Sequence, residues 1–287
     1  ASLDELLDHV SGAALGAAEA AAASAKVVSN GRWLKTNQSL LRRSLELVDA
    51  FEASLDAPLF SRGTFPRRSP CADAAAGCVD IFDTSRALMG VMQVLVDEVY
   101  HADAACIVGL VDGRSWRTAS FFPGDAPPPT DPSVVHAVTV EASHPATWGI
   151  PVGYQHLHAR KPTGLYLAAG QVATLRVPQS VIDVGGFRLL VGGSTNDFVS
   201  KDRHSRMDRV SVELPITKRL TTVASPLGGG IHILVPYLAV LGEVSLEISG
   251  GVIAAPLFQR TSTTRTSATD WRAQRGAPGS WATFETD

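Results

Sequence analysis

The sequence T-G-L-Y-L-A-A-G-Q-V-A-T-L-R-V-P (residues 163–178) begins the region that determines the fold class of this chain. The region continues through V-G-G-S-T-N-D (191–197) and S-P-L-G-G-G-I-H-I-L-V-P (225–236). Its apolar residues come in short runs rich in Val, Ile and Leu, bounded by Gly, Pro, Asn or Asp. Such runs are typical of short, buried or half-buried β-strands joined by turns.

Further runs of the same kind lie on either side of these segments. They include V-V-H-A-V-T-V (134–140), V-S-V-E-L-P-I (210–216), V-S-L-E-I (244–248) and V-I-A-A-P-L-F (252–258). We count about eight strands with no long helix between them. This pattern predicts an antiparallel β-sandwich of jelly-roll type rather than a parallel α/β sheet.

The first hundred residues have helical periodicity instead. Apolar residues at helical spacing predict helices over residues 2–28, 37–55 and 83–100, the first with Ser2 and Glu5 in a capping-box pattern. The fold class is therefore α+β, with a helical N-terminal domain followed by the sandwich.

Between helices and sandwich, the apolar run 105–111 predicts a buried strand that contains a buried Cys106. Asp112-Gly113 predicts a turn into a second strand over residues 117–122. The proline-rich residues 123–132 predict a linker. We therefore expect a helical or mixed domain at 1–125, the sandwich at 133–258, and a connection toward an absent catalytic domain at 259–287.

Composition limits the function classes. The chain has 287 residues, 45% of them hydrophobic, and a net charge of −3, so no broad basic field indicates nucleic acid or anionic membrane as a partner. We expect no membrane-spanning helix: the most apolar early segment, residues 12–25, contains Glu19 and is too short to cross a bilayer. No basic region precedes it, so it does not read as an intact secretory signal.

Three cysteines carry little chemistry by themselves. Cys71 and Cys78 flank a Pro/Gly/Ala-rich loop, which favours a local disulfide in a secreted protein and two free thiols in a cytosolic one. No four-cysteine zinc site can be assembled from three cysteines.

Three motifs have both a functional and a structural interpretation. His156-x-His158 has the spacing of a metal-binding pair but lacks further ligands nearby, so two ordinary histidines are favoured. The charged run 201–209 fits an anion-binding loop or, preferably, a solvated loop with internal ion pairs. The Gly228–Gly230 run lacks the Lys and Ser/Thr of a phosphate-binding loop, so a tight turn close to another strand is favoured.

Trp271 and Trp281 are the two aromatic candidates for ligand binding in the C-terminal region. Each can stack on a sugar face or be buried as a cover over the sandwich edge, and burial is the commoner fate of tryptophan. No G-x-S-x-G motif is present. None of the eight histidines is followed by Glu, so H-E-x-x-H is absent as well.

The ordered segments 163–178, 191–197, 203–214 and 221–236, with V-S-L-E-I-S-G-G-V (244–252), resemble the region that precedes the catalytic motif in enhancin-like, mucin-degrading zinc metallopeptidases. The residues W-R-A-Q-R-G-A-P-G-S-W-A-T-F-E-T-D (271–287) resemble the stretch leading into their catalytic domain. The part before the proline-rich segment, with its cysteine pair, most resembles the start of a secreted bacterial O-glycopeptidase of this kind.

The resemblance implies a secreted virulence-associated enzyme that cleaves O-glycosylated host glycoproteins with one zinc ion, held by H-E-x-x-H and a further carboxylate. Those positions do not exist in this sequence. The resemblance therefore implies no catalytic or metal-binding residue in this chain and no zinc bound by it. We expect the chain to be an inactive accessory or scaffold portion that contacts its own catalytic domain. The alternative is a non-catalytic β-sandwich that binds glycans through Trp271 or Trp281.

Overall fold

The computed structural model describes residues 1–12, 16–61, 63–71, 78–149, 157–261 and 264–286. The helices within these ranges are α1 (Ser2–Val10), α2 (Ala17–Ser29), α3 (Gln38–Ser54), α4 (Asp83–Leu95), α5 (Val108–Val111), α6 (Gln179–Val184) and α7 (Ala268–Ala273). The strands are β1 (Phe65–Pro66), β2 (His136–Ser143), β3 (His158–Leu167), β4 (Val172–Arg176), β5 (Arg188–Val191), β6 (Arg203–His204), β7 (Val212–Pro215), β8 (Leu220–Ala224), β9 (Gly229–Pro236), β10 (Val240–Gly250), β11 (Val252–Ala254), β12 (Leu257–Arg260) and β13 (Thr283–Thr286).

The chain forms two compact units. The first comprises Ala1–Tyr100 with Trp116–Phe121 and Asn196–Arg209, and the second comprises His101–Ser115, Phe122–Thr195 and Val210–Asp287. The first unit holds α1–α4 and the two-stranded β1–β6 ladder, and the second holds the other sheets. The predicted α+β class, with N-terminal helices followed by an antiparallel sandwich, is confirmed. No helix in the described ranges is long and apolar enough to span a membrane.

The helical unit packs the apolar stripes that the sequence predicts. α3 and α4 occupy most of the predicted helices 37–55 and 83–100, and a π-helical turn (Val96–Tyr100) extends α4. The predicted single helix 2–28 is wrong: α1 ends at Val10, and Gly12 has φ +102°, which an α-helix does not accept. Residues 13–15 lie outside the described ranges. The buried residues of these helices include Leu6, Ala20, Leu41, Leu45, Phe51, Leu88 and Met92.

The two strands predicted between helices and sandwich are also wrong. Residues 105–111 form a 3-10 turn (Ala104–Cys106) and the short α5, and Arg117–Ser120 is a 3-10 turn. A seven-residue apolar run fits buried helical turns as well as a strand, so periodicity alone does not separate them. Asp103 starts the first turn by accepting a hydrogen bond from the Ala105 N–H at 3.0 Å. Cys106 is exposed rather than buried.

The sandwich has jelly-roll topology. Its two antiparallel sheets have strand orders β2-β10-β4-β8 and β11-β3-β9-β5-β7. When the eight strands β2–β5 and β7–β10 are numbered along the chain, these orders are 1-8-3-6 and 2-7-4-5, which is the jelly-roll arrangement of two sheets. β11 adds a short ninth strand beside β3.

Alternation along the strands places one face of each sheet in the core. Val140, Val244, Leu246 and Ile248 follow this rule in the four-stranded sheet, where Val140 pairs with Val244. In the five-stranded sheet Leu189, Val191, Val212, Leu214, Ile231, Ile233 and Val235 are buried, but so are Leu190 and Leu234 on the other face, so β5 and β9 do not alternate between buried and exposed residues.

Three strands of the five-stranded sheet approach one another closely at Gly228 and Gly229, and we call this contact the glycine crossing. Gly228 has φ +65°, and a Cβ there would overlap the Leu167 carbonyl oxygen at the end of β3. Gly229 has φ +129°, and a Cβ there would lie 2.8 Å from the backbone N of Gly192, which follows β5. The favoured interpretation of the Gly228–Gly230 run, a tight turn close to another strand, agrees with this geometry.

Replacing Gly228 with Ala should destabilise the sandwich strongly. A positive φ costs an alanine about 1 kcal/mol, and the overlap with the Leu167 carbonyl adds about 3 kcal/mol because backbone cannot move aside cheaply. Gly242 is a matched control, with φ +66° and open space within 4 Å of the position that a Cβ would take. Urea unfolding of Gly228→Ala and Gly242→Ala therefore separates the two costs. Equal losses in both variants would show that the crossing is not sterically tight.

A buried carboxyl, that of Glu52, lies in the last turn of α3. Glu52 is 5% exposed, and its Oε2 accepts a hydrogen bond from the Arg117 backbone N–H at 2.7 Å. The Arg117 guanidinium donates to the carbonyls of Glu52, Leu55 and Asp56 at the end of the helix. The Glu52 Oε1 is buried without a hydrogen-bond partner among the described residues. Burial raises the pKa of the Glu52 carboxyl above its ordinary value.

The stability of the helical unit should therefore depend on pH through Glu52. Below the unfolded-state pKa the carboxyl is protonated in both states; as pH rises, the unfolded state ionises first and native stability falls until the folded pKa is passed. Glu52→Gln removes this dependence, so its stability relative to the unmodified chain should improve from pH 4 to pH 7. Chemical unfolding followed by circular dichroism measures it, with Glu46→Gln on the same helix as control. An unchanged difference at both pH values would contradict the prediction.

Candidate functional site: the C-terminal segment

Residues 257–261 and 264–286, the C-terminal segment, form a small structure on the sandwich unit. β12 and β13 pair in parallel, with Phe258 opposite Phe284. Gln274, just beyond α7, clamps β12 by accepting from the Leu257 N–H at 2.6 Å and donating to the Leu257 carbonyl at 3.1 Å. Ser267 caps α7 by accepting a hydrogen bond from the Asp270 N–H at 3.1 Å. The helix and the two strands are therefore fixed to one another.

A buried ion pair anchors this segment to the sandwich. Glu285 of β13 accepts a hydrogen bond from Lys161 Nζ of β3 at 2.9 Å, and each side chain is 8% exposed. The second oxygen of Glu285 accepts from Gln259 Nε2 at 2.8 Å. Lys161 and Glu285 are separated by 124 positions in the sequence, so no local pattern could have revealed the contact.

Small residues and the proline-rich segment complete the anchorage. Gly279 donates to the Ala254 carbonyl at 3.0 Å, and a Cβ on Gly279 would lie 2.7 Å from the Ala255 Cβ. The Ser280 hydroxyl donates to the Asp125 carbonyl at 2.7 Å. The Tyr166 hydroxyl donates to the Gly124 carbonyl at 2.5 Å, and burial raises the pKa of Tyr166 to about 12.

The outer face of the segment carries three aromatic rings. The centroids of Phe258 and Trp271 lie 5.7 Å apart at 87°, and those of Trp271 and Phe284 lie 6.0 Å apart at 44°. Phe284 is 67% exposed, whereas Phe258 and Trp271 are half-buried. These rings therefore form an aromatic surface that is partly exposed to solvent rather than buried in the core. We call Phe258, Trp271 and Phe284 the aromatic cluster.

The opposite side of β12 borders a cavity of about 750 Å³. Small residues of the sandwich and polar residues of the C-terminal segment both line it. The residues that line it include Gly164, Ala254, Ala255, Gln259, Thr266 and Asp270.

The two predicted tryptophans have different environments. Trp271 belongs to the exposed aromatic cluster. Trp281 donates its indole N–H to the Pro123 carbonyl and packs edge-on against Phe122 with centroids 5.7 Å apart, although it remains 38% exposed. Trp281 therefore has the contacts of a packing residue, and the stacking role of either tryptophan stays a prediction. Phe258 and Phe284 were not predicted as site residues, because the short runs L-F-Q-R and T-F-E-T contain no clear period-two pattern that would mark an exposed aromatic face.

The other predicted sites lie elsewhere. Cys71 and Cys78 are joined by a disulfide in the helical unit, with their Cα atoms 5.6 Å apart. His158 hydrogen-bonds the Gly186 carbonyl through Nε2 at 3.0 Å, and His156 lies outside the described residues. Burial lowers the pKa of His232 to about 4 and keeps its imidazole neutral at physiological pH.

The charged run 201–209 is only in part the solvated loop that the sequence favours, since Lys201, Asp202 and Arg203 are exposed. His204, Arg206 and Asp208 are buried. Arg67 makes a bidentate contact with Asp208 at 2.9 and 2.5 Å. Burial by itself raises the pKa of Asp208, but the neighbouring His204 and Arg67 outweigh it and hold that pKa well below its usual range. Arg209 pairs with Asp97 of the π-helical turn at 2.5 Å. The run folds into the helical unit because its charges have partners there that are distant in sequence.

The described residues contain no group of three His, Cys, Asp or Glu side chains that could hold a metal ion. The described residues thus do not fit the zinc that the resemblance implies for a complete enzyme.

Residues 136–249 match the family described as the N-terminal domain of M60-like peptidases. The match confirms the resemblance to the N-terminal portion of enhancin-like peptidases. It begins at the first residue of β2 and ends one residue before the end of β10, so it covers the eight jelly-roll strands.

Two curated relatives are similar in sequence to part of this chain. TRPM8 channel-associated factor 1 from Bos taurus is 27% identical over 126 residues, which are 44% of this chain and 13% of that protein. TRPM8 channel-associated factor 2 from Homo sapiens is 30% identical over 112 residues, which are 39% of this chain and 12% of that protein. The chain thus spans well under a fifth of the length of these relatives.

A solved structure is also similar. The IMPa metallopeptidase from Pseudomonas aeruginosa aligns over 80% of this chain and 26% of its own length, with 13% identity and a TM-score of 0.39. IMPa has also been solved in complex with an O-glycopeptide, and that structure aligns at 15% identity with a TM-score of 0.36 over the same shares of the two chains. Likeness at this level assigns no function by itself.

Glu285→Gln should destabilise the sandwich unit by about 3 kcal/mol, because it removes the carboxylate that faces the buried Lys161 ammonium. Glu247→Gln is a control: Glu247 pairs with Arg176 at 3.2 Å, but both side chains are 53% exposed, so its loss should cost less than about 1 kcal/mol. Urea unfolding of both variants gives the comparison. Similar losses would show that the Lys161–Glu285 pair does not anchor the segment.

Proposed function

We propose that this chain is the N-terminal accessory portion of a secreted zinc metallopeptidase that cleaves O-glycosylated, mucin-type glycoproteins of a host and contributes to virulence. The observation that carries the proposal is the coincidence of the M60-like N-terminal match with the jelly-roll strands β2 to β10. The absence of H-E-x-x-H from the sequence supports an accessory rather than a catalytic role for these residues.

Within this proposal the predicted domains have separate tasks. The helical N-terminal domain (1–125) and the sandwich (133–258) are the scaffold, and residues 259–287 lead to a catalytic domain that supplies the zinc site. The anchorage of the C-terminal segment supports this assignment. A segment fixed by a buried ion pair, a glutamine clamp and close backbone packing transmits a defined orientation, whereas a flexible linker does not.

The test separates accessory from catalytic roles. The 287-residue chain, incubated with an O-glycosylated mucin and zinc, should release no fragments. The peptidase region encoded by the same gene should cleave the mucin and should co-purify with this chain when the two are produced separately. A mucin stripped of its O-glycans is the substrate control.

Zinc-dependent cleavage by the 287-residue chain alone would contradict the accessory role. Failure of the two parts to associate would contradict the scaffold role. Equal cleavage of the stripped mucin would contradict the proposed substrate class.

A further inference from the structure

The outward side of the C-terminal segment combines aromatic rings with arginines. Successive side chains of a strand point to opposite faces, so Phe258 and Arg260 share one face of β12, while Gln259 points toward the Lys161–Glu285 pair. Phe284 lies opposite Phe258 on β13, and Trp271 packs against both rings. The outward face is therefore an aromatic platform that ends in a guanidinium.

Two of these arginines oppose each other directly. Arg260 and Arg265 face one another across an isolated antiparallel bridge, and both are exposed. Like charges directly opposite in a ladder repel each other. Among the described residues neither arginine is in an ion pair, and the same holds for the exposed Arg272 beside Trp271. The charge at this face is thus left without an internal counter-ion.

The positive charge here is local. The chain as a whole has a net charge of −3. In the C-terminal segment four arginines stand against two acidic residues, of which Glu285 is neutralised by Lys161 and Asp270 is engaged in capping α7. A ligand for this face should therefore carry negative charge, but a long polyanion such as nucleic acid would meet the negative charge of the remaining surface.

We propose that the aromatic cluster, together with Arg260 and Arg265, binds an acidic sugar, with the ring of the sugar on the aromatic platform and its anionic group on the two guanidiniums. The C–H face of a pyranose is apolar and matches an exposed aromatic surface. A guanidinium presents forked donors that fit a carboxylate or a sulfate ester bidentately. That this sugar ends an O-linked chain of a glycoprotein rests on the proposed function; the binding itself does not.

The experiment measures binding of the 287-residue chain to three glycans with a common core: a sialylated, a sulfated and a neutral form. Isothermal titration should detect the two acidic forms, with the neutral form at least about tenfold weaker, because charge-assisted contacts to the arginines are lost. Whichever acidic form binds more tightly identifies the anionic group. Raising NaCl from about 50 to about 500 mM should weaken the acidic forms selectively.

Variants locate the site. Trp271→Ala and Arg260→Gln should each weaken the acidic glycan about tenfold. Arg260→Gln alters only an exposed side chain, so it keeps the test valid even if Trp271→Ala fails to fold. Trp33→Ala is the matched control: Trp33 is 50% exposed and lies under the Arg32 guanidinium at 5.3 Å, in the helical unit. This control should bind like the unmodified chain.

Three results would overturn the inference. The first is no binding of any of the three glycans, and the second is equal binding of the neutral and acidic forms. The third is an Arg260→Gln variant that binds glycan normally but no longer associates with the peptidase region, which would make this face a protein interface. Neither of the first two bears on the accessory role, which is judged by cleavage of mucin, so the two proposals fail separately.

Discussion

The arrangement of the strands in the sandwich depends on one close contact between backbone segments. Gly228 and Gly229, at the start of β9, pass so close to Leu167 at the end of β3 and to Gly192 after β5 that no side chain fits between the chains. This contact fixes how far the three strands can slide, and with them the register of the five-stranded sheet. The segments 163–178, 191–197 and 225–236 are far apart in sequence, and they are the three parts of the chain that meet at this crossing.

A rigid sheet then makes the buried Lys161–Glu285 pair tolerable. Two charges in a nearly dry environment repay their lost hydration only when their geometry is maintained. β3 supplies that geometry, because its pairing with β9 places Lys161 opposite Ile233. The pair in turn holds β13 beside β12, and their pairing leaves Phe258 and Phe284 on the outward face. The aromatic cluster is thus a consequence of the anchor, which uses the inward-facing residues of the same two strands.

Much of the architecture followed from the sequence because it is encoded by local patterns. Turn residues at the ends of short apolar runs predicted the sandwich, and helical periodicity predicted α3 and α4. Local sequence patterns failed to predict the structure where contacts with residues distant in sequence determine it. The run 105–111 folds as helical turns although its composition fits a strand equally well. The second half of the run 201–209 packs into the helical unit, where Asp208 pairs with Arg67 and Arg209 pairs with Asp97.

The two tryptophans show the same limit at the candidate site. In sequence, Trp271 and Trp281 are equivalent: both are single aromatic residues in a polar region without periodicity. What distinguishes them is the partner of each indole, namely the Pro123 carbonyl for Trp281 and the two phenylalanine rings for Trp271. The hydrogen bond to a backbone carbonyl satisfies the polar edge of the Trp281 ring and fixes its orientation. Only Trp271 remains part of a surface whose apolar area and positive charge have no counterpart among the described residues, and such a surface is where a ligand gains most by binding.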